Sequence, residues 1–165
     1  MNKNLKKSPD DTALSVSAKE IRYLILAVQR EGNRYLSEIL RKVNLTPAQA
    51  EVITVLAANE PITLIGLGKL LVCETGSPSR LVNSLVQKEL VAQEKHVTDG
   101  RAKLFSLTPA GRNALRIVQE AEETVDAFLD SSLSTEAKRV LGKSLYRILK
   151  GTVLEQVMLK RFHAT

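Results

Sequence analysis

The chain is 165 residues long and 44% hydrophobic, with 24 Lys and Arg against 18 Asp and Glu and a net charge of +6. That size suits one compact domain carrying helical extensions, and the basic balance favours an anionic partner. No apolar run approaches the roughly 20 residues of a membrane helix, and the single cysteine, Cys73, excludes an intramolecular disulfide and fits a reducing compartment.

The opening MNKNLKKSPDD is polar, charged and without an apolar stretch behind it. It reads as a flexible arm over 1–13 rather than a signal peptide, so a cytoplasmic, non-membrane protein is expected. A long helix should follow over about 16–43, with Ile21, Leu24, Ile25, Val28, Tyr35, Leu36, Ile39 and Leu40 at helical spacing and Gly32 as a place to bend. Thr46-Pro47-Ala48-Gln49 marks the next start: Thr as N-cap, Pro at the first position, Gln as capping-box partner. This second helix carries Val52, Ile53, Val55 and Leu56 and stops before Pro61. Thr63 caps a third over 64–72, weakened at Gly66 and Gly68 by up to about 1 kcal/mol each relative to Ala.

A tight turn then leads to a helix over 77–88. Proline is tolerable only in a first turn. Either Ser77 is the N-cap and Pro78 the first helical residue, or the helix starts a turn earlier at Thr75; the first is preferred. Leu81, Val82, Leu85 and Val86 fall on one side, and Ser77, Arg80, Asn83, Ser84 and Gln87 on the other. Those polar side chains fit base edges: Arg to guanine, Asn or Gln to adenine, Ser to either. No acid interrupts the face before Glu89. An ordinary solvated face mixes Glu with Lys, although a plain polar helix in a packed domain remains an alternative.

A β-hairpin is expected next, with strands over 91–97 and 102–107 around Thr98-Asp99-Gly100-Arg101, whose Asp-Gly pair allows positive φ. A helix-turn-helix with a hairpin attached lays one helix in the major groove and a basic hairpin against the neighbouring backbone or minor groove. Residues 45–108 hold six cations and six acids, so placement rather than bulk charge carries this reading. The candidate DNA contacts are Thr75, Ser77, Ser79, Arg80, Asn83, Ser84, Gln87, Lys95, Arg101 and Lys103.

Thr108-Pro109 opens a helix to about residue 129, with Ala114, Leu115, Val118, Ala121, Val125 and Phe128 on one side. Ser134 caps a last helix bearing Val140, Leu141, Leu145, Ile148, Leu149, Val153, Leu154, Val157 and Met158. As one helix, 134–162 would span about 43 Å, more than the winged core could cover. Apolar stripes left uncovered call for a second subunit, with Ile21, Leu24, Val140, Leu141, Leu145, Ile148 and Leu149 as candidate dimer contacts. The fold class is therefore mainly α: a winged helix-turn-helix core over 45–108 with a small β-hairpin wing, flanked by dimerisation helices over 14–44 and 109–165.

Residues 45–115 resemble the winged-helix core of the multiple-antibiotic-resistance regulator (MarR) family without a gap. The most specific parts are Ser79-Arg80-Leu81-Val82, Lys88-Glu89-Leu90-Val91, Asp99-Gly100-Arg101 and Ser106-Leu107-Thr108-Pro109-Ala110-Gly111. The resemblance implies a homodimer built from the first and last two helices, on a double-stranded DNA operator, with Arg101 as the wing arginine that enters the minor groove. It implies a transcriptional repressor on a pseudo-palindromic site, released by a small-molecule effector, a metal or an oxidant. Pro78 stands where members usually carry a β-branched or aliphatic residue. Glu89 replaces a common glycine, and Ala92, Gln93 and Glu94 replace frequent basic residues of the first wing strand. The last helix runs past the usual family end from about Gly151.

Metal sensing lacks clustered ligands, since His96 and His163 are far apart in sequence. Cys73 reads as a small buried thiol: among the six residues on either side Lys69 is the one cation, and Glu74 opposes ionisation. The alternative is an oxidation switch beside the recognition helix. Gly66 and Gly68 lack the preceding strand of a dinucleotide loop. No Ser/His/acid set stands out, so no enzyme activity and no cofactor are expected. A winged helix used for protein docking would need apolar residues where Ser77, Arg80, Asn83 and Gln87 stand.

Overall fold

A computed structural model describes residues 16–73, 77–95 and 102–162 of the chain. It divides into two compact units, Met1–Arg34 and Tyr35–Thr165. The first unit, where described, is the leading part of helix α1 (Ala18–Leu40), which runs through Gly32 as one helix. Its start is a capping box: Ser17 Oγ accepts from the Glu20 amide at 3.2 Å, and the Glu20 carboxylate accepts from the Ser17 amide at 2.8 Å. Ile21, Tyr23, Leu24, Ile25, Leu26 and Val28 are all exposed on it.

The second unit begins with the last turns of α1, where Leu36, Ile39 and Leu40 join the core. A 3-10 turn, Arg41–Val43, ends on Asn44 in the left-handed region at φ 52°. Helix α2 (Pro47–Asn59) starts as its sequence dictates: Thr46 accepts from the Gln49 amide, and the Gln49 side chain returns the bond. It is buried on nearly every side, with Ala48, Ala50, Val52, Ile53, Val55 and Leu56 in the core. A helix apolar all round must be central.

Strand β1 (Ile62–Thr63) leads straight into α3 (Leu64–Gly68), capped by Thr63. The helix is shorter than the expected 64–72. Two glycines lower its propensity, and the Val72 and Cys73 amides beyond it bond to the Glu51 side chain instead of a helix ladder. Helix α4 (Pro78–Gln87) has Ser77 as N-cap, accepting from the Arg80 amide, with Pro78 at the first position. Strands β2 (Val91–Lys95) and β3 (Lys103–Leu107) pair antiparallel from Val91↔Leu107 to Lys95↔Lys103. The expected turn at Thr98-Asp99-Gly100-Arg101 lies outside the described residues. The sheet order is β1-β3-β2, with Ile62 opposite Phe105. The third strand escaped the sequence, since two residues cannot display a period.

Helix α5 (Pro109–Ser132) is capped by Thr108. Its root is locked: Thr108 Oγ1 donates to Glu89 O at 2.7 Å, and the Thr108 amide donates to Leu90 O at 3.1 Å. Gly111 makes room, because a Cβ there would lie 2.0 Å from Leu90 O. Glu60 ties the same corner, pairing with Arg112 at 2.6 Å and accepting from the Leu107 amide. Ser134 caps α6 (Thr135–Leu149), and α7 (Val153–Phe162) follows. The single helix expected over 134–162 is therefore corrected to two. Gly151 takes φ +78°, a left-handed conformation that ends a helix. Among the described residues, no helix is long and apolar enough to cross a membrane.

Candidate nucleic-acid interface

The amphipathic split of α4 is realised in the packing. Val82 and Leu85 are fully buried, and Leu81 and Val86 lean on the core. Ser77, Arg80, Asn83 and Gln87 are exposed, and no acid shares their face. Among the described residues, the Arg80, Asn83 and Gln87 side chains have no hydrogen-bond or salt-bridge partner, so their donors are available to a ligand. Ser79 is half-buried, its hydroxyl 2.8 Å from that of Ser77. Pro78 packs beside Gly68 of α3, where a Cβ would meet the proline ring at 3.4 Å. The proline thus fits both the helix start and the contact between the two helices.

Ser84 is placed differently from its neighbours. It is half-buried, donates to Leu81 O at 2.7 Å, and accepts from Gln49 Nε2 at 2.7 Å. Gln49 is buried and also accepts from Lys88 Nζ at 3.1 Å, while Lys88 reaches the Asn44 carbonyl. The Lys88 charge is therefore turned back onto the body of the protein. Gln49 holds α4 from below. Sequence reasoning found its capping role and missed this second one, because a partner 35 positions away leaves no local signal.

Lys95 and Lys103 face each other across β2 and β3, both exposed. Like charges directly opposite on an antiparallel pair destabilise it. Lys103 Nζ donates to Gln93 Oε1 at 3.1 Å, a neutral acceptor, and among the described residues neither lysine has an acidic partner. An anion placed between the two lysines would relieve the repulsion. Thr75 and Arg101, also candidate contacts, lie outside the described residues, as do His96 and His163.

Behind this surface, Glu51 of α2 carries more than its sequence announced. Its carboxylate accepts from the Val72 amide at 2.7 Å and the Cys73 amide at 2.9 Å, and pairs with Arg161 at 2.5 Å. Burial, with the bond to Glu51 adding to it, pushes the Cys73 thiol up to about 12. The thiol therefore holds its proton at neutral pH. Among the described residues, no group of three His, Cys, Asp or Glu could hold a metal ion.

The candidate dimer contacts are exposed in each unit. Ile21 and Leu24 are about half exposed on α1; Val140, Leu141, Leu145 and Ile148 are exposed on α6, and Leu149 is half-buried. Helix α6 buries none of its residues.

Residues 45–111 match the winged helix DNA-binding domain family. The HTH-type transcriptional regulator MgrA of Staphylococcus aureus is 29% identical over 133 residues, 78% of this chain and 89% of that protein. A mutant MarR from E. coli complexed with operator DNA is similar at 25% identity and a TM-score of 0.71, over 78% of this chain and 93% of that one. The S. aureus MepR–DNA complex shares the fold at 22% identity and a TM-score of 0.73, over 78% and 95%.

Proposed function

We propose that the chain, which carries a winged helix DNA-binding domain match over 45–111 and is similar to MarR-type transcriptional regulators, acts as a cytoplasmic, homodimeric repressor on a pseudo-palindromic operator. The observation that carries this is the free polar face of α4: Arg80, Asn83 and Gln87 exposed, unpartnered among the described residues and clear of acids. Such a face in the major groove reads base edges, and a dimer presents two of them about one helical turn of DNA apart.

In this reading Arg80 supplies a bidentate contact to guanine, with Asn83 and Gln87 suited to adenine. Ser77 and Ser79 sit at the front of the helix within reach of phosphates or base edges, and Thr75 is proposed as a further contact from its place in the sequence just before it. Ser84 holds the helix in place through Gln49. Lys95 and Lys103, with Arg101, position the wing on the backbone or minor groove, where contacts fix register and carry less sequence information. A small-molecule effector would release the protein from DNA, and the function is binding rather than catalysis.

Selecting bound sequences from a random duplex pool with the full-length protein tests the proposal. A palindrome with half-sites spaced one turn apart is the expected result. No enrichment over input would overturn it in favour of a protein-docking winged helix.

A further inference from the structure

Past Gly151 the chain turns into α7 and comes back to the core. Val157 is 4% exposed, and Arg161, on the last turn, is 18% exposed at its side chain. Its Nη1 lies 2.5 Å from Glu51 Oε1, joining residues 110 positions apart. The same Glu51 carboxylate, 14% exposed, takes up the Val72 and Cys73 amides. Those two amides belong to neither α3 nor α4, yet they lie in the segment that leads from one to the other. One carboxylate therefore ties α2, this segment and α7 together.

The electrostatics point the same way. A carboxylate this far from water needs a partner charge or several donors. Glu51 has both, and its net pKa is lowered although burial opposes ionisation. Glu122 of α5 is raised chiefly by its own burial, with the Thr54 hydroxyl and then Arg161 pulling it back and Asp126 and Glu51 adding to the rise. Arg161 is thus the cation that Glu51, Glu122 and Cys73 share. Without it, two half-buried carboxylates would face each other beside the segment that launches α4.

We propose that α7 is a clasp on the recognition helix: Arg161, acting through Glu51, fixes the Val72 and Cys73 amides and so sets the direction in which α4 is presented to DNA. Arg161 and Glu51 are positioning residues and touch no base or phosphate. The inference rests on the DNA-binding reading of α4, and its test has one arm that needs no DNA.

The full-length protein, Arg161→Gln and Arg161→Lys are compared by iodoacetamide labelling of Cys73 in native buffer. They are then compared by affinity for the duplex selected from the random pool, with thermal unfolding as the control. Arg161→Gln should label Cys73 about tenfold faster and bind the selected duplex about three- to tenfold more weakly, while still melting cooperatively near the parent. Arg161→Lys keeps the charge but loses the planar fork, and should recover part of both effects. Parental labelling in Arg161→Gln overturns the clasp, as does an affinity loss no larger than its unfolded fraction accounts for. Outright unfolding of Arg161→Gln also overturns it, by making α7 ordinary core. If the pool yields no enriched duplex, the DNA-binding reading fails, and the labelling arm still decides whether Arg161 holds the segment.

Discussion

Arg80 is exposed on α4, and among the described residues no acid pairs with its guanidinium. Truncating it to Ala should cost about 1–3 kcal/mol of operator affinity and relax preference at one base position per half-site, as loss of a bidentate contact does. Affinities on the selected duplex and its single-base variants measure both effects; an even loss across all sequences would make Arg80 a phosphate contact instead. Cys73, half-buried rather than the buried thiol expected, behaves oppositely, as a group that keeps its proton. With its thiol pushed from 9.0 to about 12, the native state binds that proton more tightly than the unfolded chain does. This contribution to stability is full below about pH 9 and is lost as pH rises towards 12. Alkylation of the native protein should therefore stay slow through pH 9, where the urea-unfolded chain already reacts fast; matching profiles would refute the raised thiol pKa. The protonated state was legible from the scarcity of nearby cations around Cys73. Its cause was not, since the carboxylate involved, Glu51, is 22 residues earlier in the chain.

Helix starts were written plainly in the sequence, because a cap is local chemistry: Thr46, Ser77, Thr108 and Ser134 each accept from the amide three residues on. Helix ends were harder. Val153, Leu154 and Val157 continue the apolar pattern of α6 closely enough to mask the break, which falls at Lys150-Gly151-Thr152 with Gly151 left-handed. At the end of α4 Glu89, where the family this chain resembles commonly carries glycine, takes φ +58°. A side chain there costs about 1–2 kcal/mol, against about 0.5–1 kcal/mol for the greater freedom of glycine in the unfolded chain. Glu89→Gly should thus stabilise the protein by about 0.5–1 kcal/mol, read as a higher urea midpoint at unchanged slope. A lower midpoint would mean that the Glu89 side chain contributes more than its backbone strain costs.

For the whole molecule, the winged core was readable because each of its helices announces its own start and buried face. The fold class is the one expected, with β1 added to the wing. The reach of α7 back to Glu51 was unreadable, since no periodic signal links positions 110 apart. Assembly follows from what stays uncovered. Ile148 is 63% exposed on α6 and Val28 63% on α1, each among other exposed apolar residues of its own unit. Faces of this kind mark sites of association. Sedimentation equilibrium at micromolar concentration should find the parent dimeric and both Leu24→Glu and Ile148→Glu shifted towards monomer. A monomeric parent would remove the assembly argument.

The bonded root of α5 has a mechanical consequence. Thr108 fastens the first turn of α5 to the Glu89 and Leu90 carbonyls, and Gly111 leaves room for the Leu90 carbonyl to come close. The tail of α4 and the head of α5 therefore make one stiff hinge. At 1.5 Å per residue the 24 residues of α5 form a rod of about 36 Å. Tilting that rod by about 5° about its root swings the far end by about 3 Å, and run in reverse the same lever turns a small shift at the far end into a rotation of α4. Two such levers in a dimer must hold their recognition helices about 34 Å apart to match one turn of DNA. In the proposed dimer a disturbance along α5 would therefore be felt as a change of gauge between the two half-sites.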